Sequence, residues 1–171
     1  MNSKERRNYI EELLRKGDNP QKGHILAEEL GVTRQVIVKD IAILRAEGKK
    51  IIATPEGYLI HKEEKSVIKK VIAVSHIADN IEEELKVIVK FGGIVEDVIV
   101  EHPLYGEIRG MIMAKTFYDI ENFVKRINEY KAEPLLILTG GVHLHTIAAE
   151  NNDIIQNIIE ELKAKNYLVS D

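Results

Sequence analysis

Two histidines near the end of the chain, His143 and His145, are spaced as metal ligands on a strand would be. They follow an apolar run at residues 136–138 and a Thr-Gly-Gly bend at residues 139–141. In a β-strand, residues i and i+2 point to the same face, about 7 Å apart along the chain. Two imidazoles on one face make half of a metal site. The alternative is a solvated histidine pair on an exposed strand face.

The other candidate ligands are His76 and the glutamates Glu82, Glu83 and Glu84. His76 lies where a predicted strand runs into a predicted helix, and the glutamates occupy the first turns of that helix. At about 100° per residue, Glu83 falls opposite the buried stripe and is expected in solvent, whereas Glu82 and Glu84 flank the stripe. Periodicity does not choose between those two. The alternative is a histidine at a strand end beside a solvated run of charge.

Three imidazoles and one carboxylate would suit Ni²⁺, Zn²⁺, Fe²⁺ and Mn²⁺ alike. The 171-residue chain has no cysteine, which excludes disulfides and cysteine-based zinc sites. With 44% hydrophobic and 30% charged residues, its composition is that of a globular protein. Residues 1–12 lack the apolar core of a signal peptide, and no apolar run approaches the ~18–20 residues of a membrane span. We therefore expect a cytoplasmic protein without a membrane partner.

Charge is divided unevenly along the chain. Residues 1–62 carry 12 Lys and Arg against 9 Asp and Glu, a net charge of +3. The remaining residues carry 12 basic against 19 acidic side chains, a net charge of −7. A basic front and an acidic back indicate that any contact with a polyanion lies in the front.

Residues 1–62 are predicted to form a winged helix-turn-helix domain. The predicted helices cover residues 5–16, 24–30 and 33–47, and a predicted β-hairpin covers residues 51–60. The pattern places Ile25 in the buried stripe of the second helix and Thr33 at the N-cap of the third, but does not place Val38 clearly. A short helix, a turn at Gly31 and a longer helix make the helix-turn-helix, and the hairpin is the wing.

The third helix begins with side chains suited to reading DNA. The N-terminal residues of this helix reach base edges, where Arg can pair with guanine and Gln with adenine. The basic pair before the hairpin can contact phosphate, which positions a protein without specifying sequence. The predicted DNA-binding residues are Thr33, Arg34, Gln35, Lys39, Arg45, Lys49 and Lys50. The alternative is a protein-contact module whose basic residues are merely solvated.

Residues 66–171 are predicted to form a second domain of the α+β class, after a polar linker at residues 61–66. The predicted strands cover residues 67–75, 94–101, 107–115, 135–138 and 142–148, and the predicted helices cover residues 79–91, 119–131 and 153–165. Asp79 and Glu82 form a plausible capping pair for the first of these helices. The first six elements follow the ferredoxin-like β-α-β-β-α-β pattern, which predicts an α/β sandwich with a mostly antiparallel sheet.

Several stretches resemble known families. Residues 25–41 (Ile-Leu-Ala-Glu-Glu-Leu-Gly-Val-Thr-Arg-Gln-Val-Ile-Val-Lys-Asp-Ile) and 44–48 (Leu-Arg-Ala-Glu-Gly) look like the winged helix shared by biotin-operon repressors and related bacterial regulators. Residues 102–106 (His-Pro-Leu-Tyr-Gly) and 135–147 (Leu-Leu-Ile-Leu-Thr-Gly-Gly-Val-His-Leu-His-Thr-Ile) are similar to the three-histidine domain. That domain occurs behind a winged helix in bacterial niacin-responsive repressors. Domain order, length and both motifs match over nearly the full chain.

The resemblance implies a transcriptional repressor of NAD biosynthesis or niacin-uptake genes, with nicotinic acid as co-repressor. It also implies a metal held by His76, Glu84, His143 and His145, because the offset from His76 to Glu84 suits the family pattern. We expect the protein to bind operator DNA as a homodimer, since paired half-sites demand paired readers.

A ligand site is expected beside that metal. An open position on a divalent metal could take a pyridine carboxylate or its ring nitrogen. Arg109, or a donor from Thr139, Gly140 and Gly141, could neutralise the carboxylate, and Tyr105 could stack on the ring. The alternative is an ordinary structural role for each: a solvated side chain for Arg109, turn formation for the glycines and packing for Tyr105. The competing function is a metal-dependent hydrolase with an attached DNA-binding domain, since His and Glu can activate water on a metal.

Overall fold

The structure, a computed structural model, describes residues 1–62 and 66–169. The chain forms two compact units, residues 1–63 and residues 64–171. Each unit has a hydrophobic core of its own. The centre of the predicted linker, residues 63–65, lies outside the described residues. Over the described parts of the chain, no helix has the length and apolar character needed to cross a bilayer.

The N-terminal unit is a winged helix-turn-helix, as predicted. Its elements are α1 (Ser3–Lys16), α2 (Gly23–Glu29), α3 (Arg34–Ala46), β1 (Ile51–Thr54) and β2 (Gly57–Ile60). The two strands pair as an antiparallel hairpin, the wing. The three helices and β1 enclose a core formed by Ile10, Leu14, Leu26, Ile37, Ile41, Leu44 and Ile51.

Two local features of this unit differ from the expectation. Helix α1 begins two residues early, because Asn2 and Glu5 form a capping box at its N-terminus. Ile25, expected in the buried stripe of α2, is 45% exposed. Helix α2 has only 7 residues, and the side chains it buries are those of Leu26 and Ala27. Two helical turns present a narrow buried face, and Ile25 lies outside it.

The C-terminal unit is an α+β domain built on an antiparallel sheet, as predicted. Its elements are β3 (Ile68–Ser75), α4 (Ile81–Lys90), β4 (Ile94–His102), β5 (Gly106–Ala114), α5 (Phe117–Tyr130), β6 (Val142–Ala149) and α6 (Asn152–Ala164). The strands form one sheet in the order β3-β6-β4-β5, and each neighbouring pair is antiparallel. This order differs from that of the predicted ferredoxin-like sheet, whose first and third strands are the central neighbours, because here the last strand, β6, lies between β3 and β4. Apolar side chains of the sheet and of all three helices form the core.

The prediction of a strand at residues 135–138 is wrong. This stretch is a 3₁₀ helix, Leu135–Thr139, that ends at Gly140 with a φ of 63°. Only Leu136 of the helix is buried. A four-residue apolar run looks the same in a strand and in a short helix, so its periodicity does not decide between them.

The start of α4 also differs from the expectation. A 3₁₀ turn, Ala78–Asn80, precedes the helix, and the residue at its N-cap makes no side-chain capping bond. The predicted capping pair of Asp79 and Glu82 therefore does not form. The helix begins at Ile81, and Glu84 lies on its buried side.

The register of β3 and β6 sets the direction of the two paired histidines. His145 lies opposite Ile72 and His143 lies opposite Val74. Residues directly opposite in an antiparallel pair share a face of the sheet. Ile72 and Val74 belong to the core, so both imidazoles point towards the helices rather than towards solvent.

Candidate functional site

Four side chains meet between β3, β6 and the first turn of α4. His76 Nε2 lies 3.1 Å from Glu84 Oε2 and His145 Nε2 lies 3.1 Å from Glu84 Oε1. His143 Nε2 lies 3.8 Å from Glu84 Oε2. All four side chains are buried. Glu82, by contrast, is half-exposed and pairs with Lys86 at 2.7 Å, so geometry brings Glu84 and not Glu82 to the histidines.

Backbone carbonyls fix the orientation of all three imidazoles. Nδ1–H of His76 donates to the carbonyl of Ile77 at 2.8 Å, that of His143 to Gly141 at 2.8 Å, and that of His145 to Asp97 at 2.6 Å. A carbonyl only accepts, so the proton of each neutral ring is on Nδ1 and the lone pair is on Nε2. The three lone pairs therefore face one carboxylate, an arrangement that requires protons or a cation between them.

This donor set fits a divalent transition metal. The ligand atoms of His76, Glu84 and His143 all lie within 4.8 Å of one another. Among the described residues, nothing donates a well-oriented hydrogen bond to the buried Oε1 of Glu84, although His145 Nε2 is near it. Histidines that donate their other ring nitrogen to a carbonyl are the usual state of metal-bound imidazoles. Nitrogen donors with one carboxylate match nickel, zinc and iron better than calcium or magnesium.

Gly141 shapes the cluster from the backbone. Its φ of 107° is one that favours glycine, and an added Cβ would lie 2.6 Å from the carbonyl oxygen of His76. Its own carbonyl accepts from Nδ1 of His143 and, at 3.4 Å, from the backbone N–H of His76. The Gly-Gly bend therefore holds the imidazole of His143 and the backbone of His76, a role different from the ligand contact expected from the sequence.

The pKa values of the cluster reflect mutual stabilisation of opposite charges. Burial lowers the pKa of His76 and of His145, but the hydrogen bonds and charge of Glu84 outweigh it, so both pKa values are raised. Burial raises the pKa of Glu84, but the imidazoles outweigh it and hold this pKa well below its usual range. A proton on Nε2 would occupy the place that a metal would take, so protons and metal would compete for these nitrogens.

The stabilisation given by a metal should therefore grow as pH rises. At low pH, protonated His76 and His145 are attracted to Glu84, and this attraction stabilises the metal-free fold. The contribution of the two histidines is lost as pH rises through their raised pKa values, whereas the contribution of Glu84 is lost only in acid. The difference in Tm between metal-loaded and chelator-treated protein should widen from about pH 5.5 to about pH 8.5. Thermal unfolding with and without Ni²⁺ or Zn²⁺ measures it, and a difference independent of pH would contradict this exchange.

Tyr167 packs against the cluster, and sequence reasoning missed it. Its ring centroid lies 5.2 Å from that of His76. Its hydroxyl donates to Glu83, which also accepts from Lys165 Nζ at 2.6 Å. Burial and the bond to Glu83 raise the pKa of Tyr167 to about 12. No ligand-type spacing marks a tyrosine 91 residues after His76; only the pairing of the C-terminal segment with β3 brings it there.

Tyr167 should act as a positioning residue for His76. Tyr167→Leu removes the ring that holds the imidazole and should weaken Ni²⁺ binding by about tenfold, in the range found for groups that orient metal ligands. Tyr167→Phe keeps the ring and should stay within about threefold of the wild type. Competition titration and the visible spectrum of the Ni²⁺-loaded protein report the change. Unchanged affinity and spectrum in the leucine variant would refute the role.

An apolar cavity of about 230 Å³ opens beside the cluster. Glu84, His143 and His145 line one part of it. Its remaining walls are largely apolar and include Val98, Met111, Ile112, Phe123, Ile127, Leu135 and Leu136. Among the described residues, Glu133 is the other acidic residue in its lining, and neither Lys nor Arg lines it. No local sequence pattern predicts this cavity, because its walls come from six separate stretches of the chain.

The predicted ligand contacts lie elsewhere. Tyr105 is 71% exposed at the β4–β5 hairpin tip, where it packs on His102. Arg109 pairs at 3.2 Å with Asp97, whose carbonyl holds His145. None of the five predicted residues, Tyr105, Arg109, Thr139, Gly140 and Gly141, lines the cavity.

The predicted DNA-binding residues divide into two groups. Thr33, Arg34, Gln35, Lys39 and Lys50 are exposed. Arg45, which is also exposed, and the partly buried Lys49 make contacts within the protein. Arg45 Nε donates to the Ile51 carbonyl at 2.8 Å, and Lys49 Nζ lies 2.9 Å from Glu11. The first turns of α3 therefore present most of the predicted reading side chains.

Comparison with known proteins agrees with this architecture. Residues 6–59 match the HTH domain and residues 69–171 match the 3H domain. The chain is 47% identical over 167 residues to the probable transcription repressor NiaR of Thermotoga maritima, covering 98% of this chain and 95% of that protein. It is 37% identical over 169 residues to the transcription repressor NadR of Bacillus subtilis, covering 97% and 94%.

A helix-turn-helix joined to a second domain with a buried histidine cluster defines a two-domain DNA-binding regulator. The chain belongs to the 3H-domain family of transcription repressors. Both relatives are named as repressors rather than as enzymes.

Proposed function

We propose that this protein represses transcription of NAD biosynthesis or niacin-uptake genes and senses nicotinic acid through a metal-containing C-terminal domain. The N-terminal winged helix binds operator DNA, and a homodimer places two such units on paired half-sites. The metal is nickel or zinc, held by His76, Glu84, His143 and His145.

One observation carries the sensing part of the proposal: the buried His-Glu cluster forms a wall of an apolar cavity. A volume of about 230 Å³ suits a small aromatic molecule. Apolar side chains such as Phe123 and Ile127 offer the ring a dry surface. The His-Glu cluster is the main polar surface that the polar end of such a ligand can contact.

Charge in the cavity favours one orientation of nicotinic acid. With neither Lys nor Arg in the described lining, a ligand carboxylate finds no permanently charged side chain as a partner there, and Glu133 repels it. A divalent ion bound by the cluster would supply a Lewis-acid partner for the carboxylate. His145 and His143 then border the carboxylate end, and Met111, Phe123 and Ile127 border the pyridine ring. Nicotinamide, which lacks the negative charge, should bind poorly.

Co-repression requires that nicotinic acid bind better to the operator-competent state than to the incompetent one. The coupling needs to be only about 1–3 kcal/mol to change operator affinity by about 5- to 150-fold. The acidic C-terminal half, with its net charge of −7, is suited to avoid DNA while the basic N-terminal half binds it.

A mobility-shift titration tests the proposal. Operator duplexes enriched from a random-sequence pool by the Ni²⁺-loaded protein are titrated with protein, with and without millimolar nicotinic acid. Nicotinic acid should tighten binding at least about fivefold, and nicotinamide at the same concentration should not. An operator affinity that does not change when nicotinic acid is added would refute the sensing function, whereas failure to bind any duplex would refute the repressor function.

A further inference from the structure

The outer face of α3 carries an apolar side chain that the fold does not use. Val38 is 45% exposed. The side of α3 that packs into the N-terminal unit buries Ile37, Asp40, Ile41 and Leu44. Val38 lies on the other side, one turn after Arg34, among the exposed residues Gln35, Lys39 and Ala42.

Local energetics do not explain a valine at this position. Its β-branched side chain is less favourable in a helix than alanine. Nearly half of its surface is exposed, and it belongs to neither hydrophobic core, so it contributes little to folding stability. Ala42, one turn further on, projects only a methyl group. The two residues leave a low apolar strip on a helix face whose other side chains are polar.

We propose that Val38 contacts the C5-methyl group of a thymine in the operator. The inference rests on the proposed binding of operator DNA through α3. The thymine methyl is the apolar group that base pairs present in the major groove, and small apolar side chains recognise it. Val38 is continuous with the reading residues Arg34 and Gln35, and Ala42 leaves room for close approach. The stiff χ1 of valine loses little freedom on contact.

Deoxyuridine isolates this contact, because it pairs as thymidine does but lacks the methyl group. The probe is the duplex enriched from a random pool by the full-length Ni²⁺-loaded protein with nicotinic acid, resynthesised with each thymidine in turn replaced by deoxyuridine. At one position in each half-site, wild-type affinity should fall about fourfold, the loss expected for one methyl group no longer buried. The Val38→Ala variant should bind the thymidine duplex about as weakly as the wild type binds the deoxyuridine duplex, and the replacement should not lower its affinity further.

Ile25→Ala is the matched control, since Ile25 is also 45% exposed but lies in α2. This variant should keep the wild-type response to deoxyuridine. For Val38→Ala, circular dichroism should be unchanged and Tm should not fall, because the side chain is outside the core and alanine is the better helix former.

Two results would overturn the inference while leaving operator binding intact. Either no deoxyuridine replacement lowers the affinity of the wild type, or the same replacement lowers the affinity of Val38→Ala as much as that of the wild type. Failure to enrich any duplex would overturn the inference together with the proposed function.

Discussion

A Glu84→Gln variant should bind Ni²⁺ or Zn²⁺ more than about 100-fold more weakly than the wild type, because it loses a ligand and not only an orienting group. The amide has the shape of the carboxylate, so the core around it is kept. Its nitrogen can donate to the imidazole lone pairs that face it in the structure. Metal-free protein should therefore stay folded while metal affinity and the response to nicotinic acid are lost. Competition with a chelating dye measures the affinity.

Glu82→Gln is the control for this experiment. It makes the same chemical change two residues earlier, at a side chain that is half-exposed and paired with Lys86. Its metal affinity should stay within about twofold of the wild type, as expected for a surface ion pair. Equal losses in the two variants would show that α4 contributes only general negative charge, and no loss in either would remove Glu84 from the site.

Arg34→Ala and Gln35→Ala should each weaken binding to the cognate operator by about 1–3 kcal/mol, if the side chain pairs bidentately with a base. Both residues are exposed in the first turn of α3, where a recognition helix meets base edges. The loss should be much smaller on random DNA, since non-specific binding depends on phosphate contacts. Mobility-shift titrations on both duplexes separate the two contributions.

The lysines before the wing supply the comparison. Lys50→Ala should weaken binding to cognate and random DNA alike, as loss of a phosphate contact does. Lys49→Ala should have less effect on both, because Lys49 is already paired with Glu11. Equal losses on random DNA for Arg34→Ala and Lys50→Ala would mark Arg34 as a phosphate contact.

The sequence predicts that His143 and His145 share one face of a strand, but it does not predict the cavity beside them. His143 and His145 share a face because strand periodicity is fixed by the backbone, and their burial follows from the core residues paired with them. Glu84 and Glu82 both flank the stripe of α4, so only the tertiary packing of that helix separates them. The lining of the cavity depends on how distant segments pack, which periodicity within one segment does not reveal.

The same distinction applies to the fold. Long periodic segments such as α1 and α6 were predicted nearly at their observed bounds, whereas the short apolar run at residues 135–138 was assigned to a strand and forms a 3₁₀ helix. The charge of Arg109 suggests a ligand contact, whereas the structure shows an ion pair with the buried Asp97 that the sequence does not predict. Long-range ion pairs of this kind leave no trace in local spacing.

The most direct measurement is the operator affinity of chelator-treated and metal-reloaded wild-type protein, each with and without nicotinic acid. The central claim is that the His-Glu cluster holds the metal through which nicotinic acid acts on DNA binding. We predict that nicotinic acid tightens operator binding at least about fivefold in the protein reloaded with Ni²⁺ or Zn²⁺ and has no effect in the chelator-treated protein. The same tightening in both forms would contradict the account.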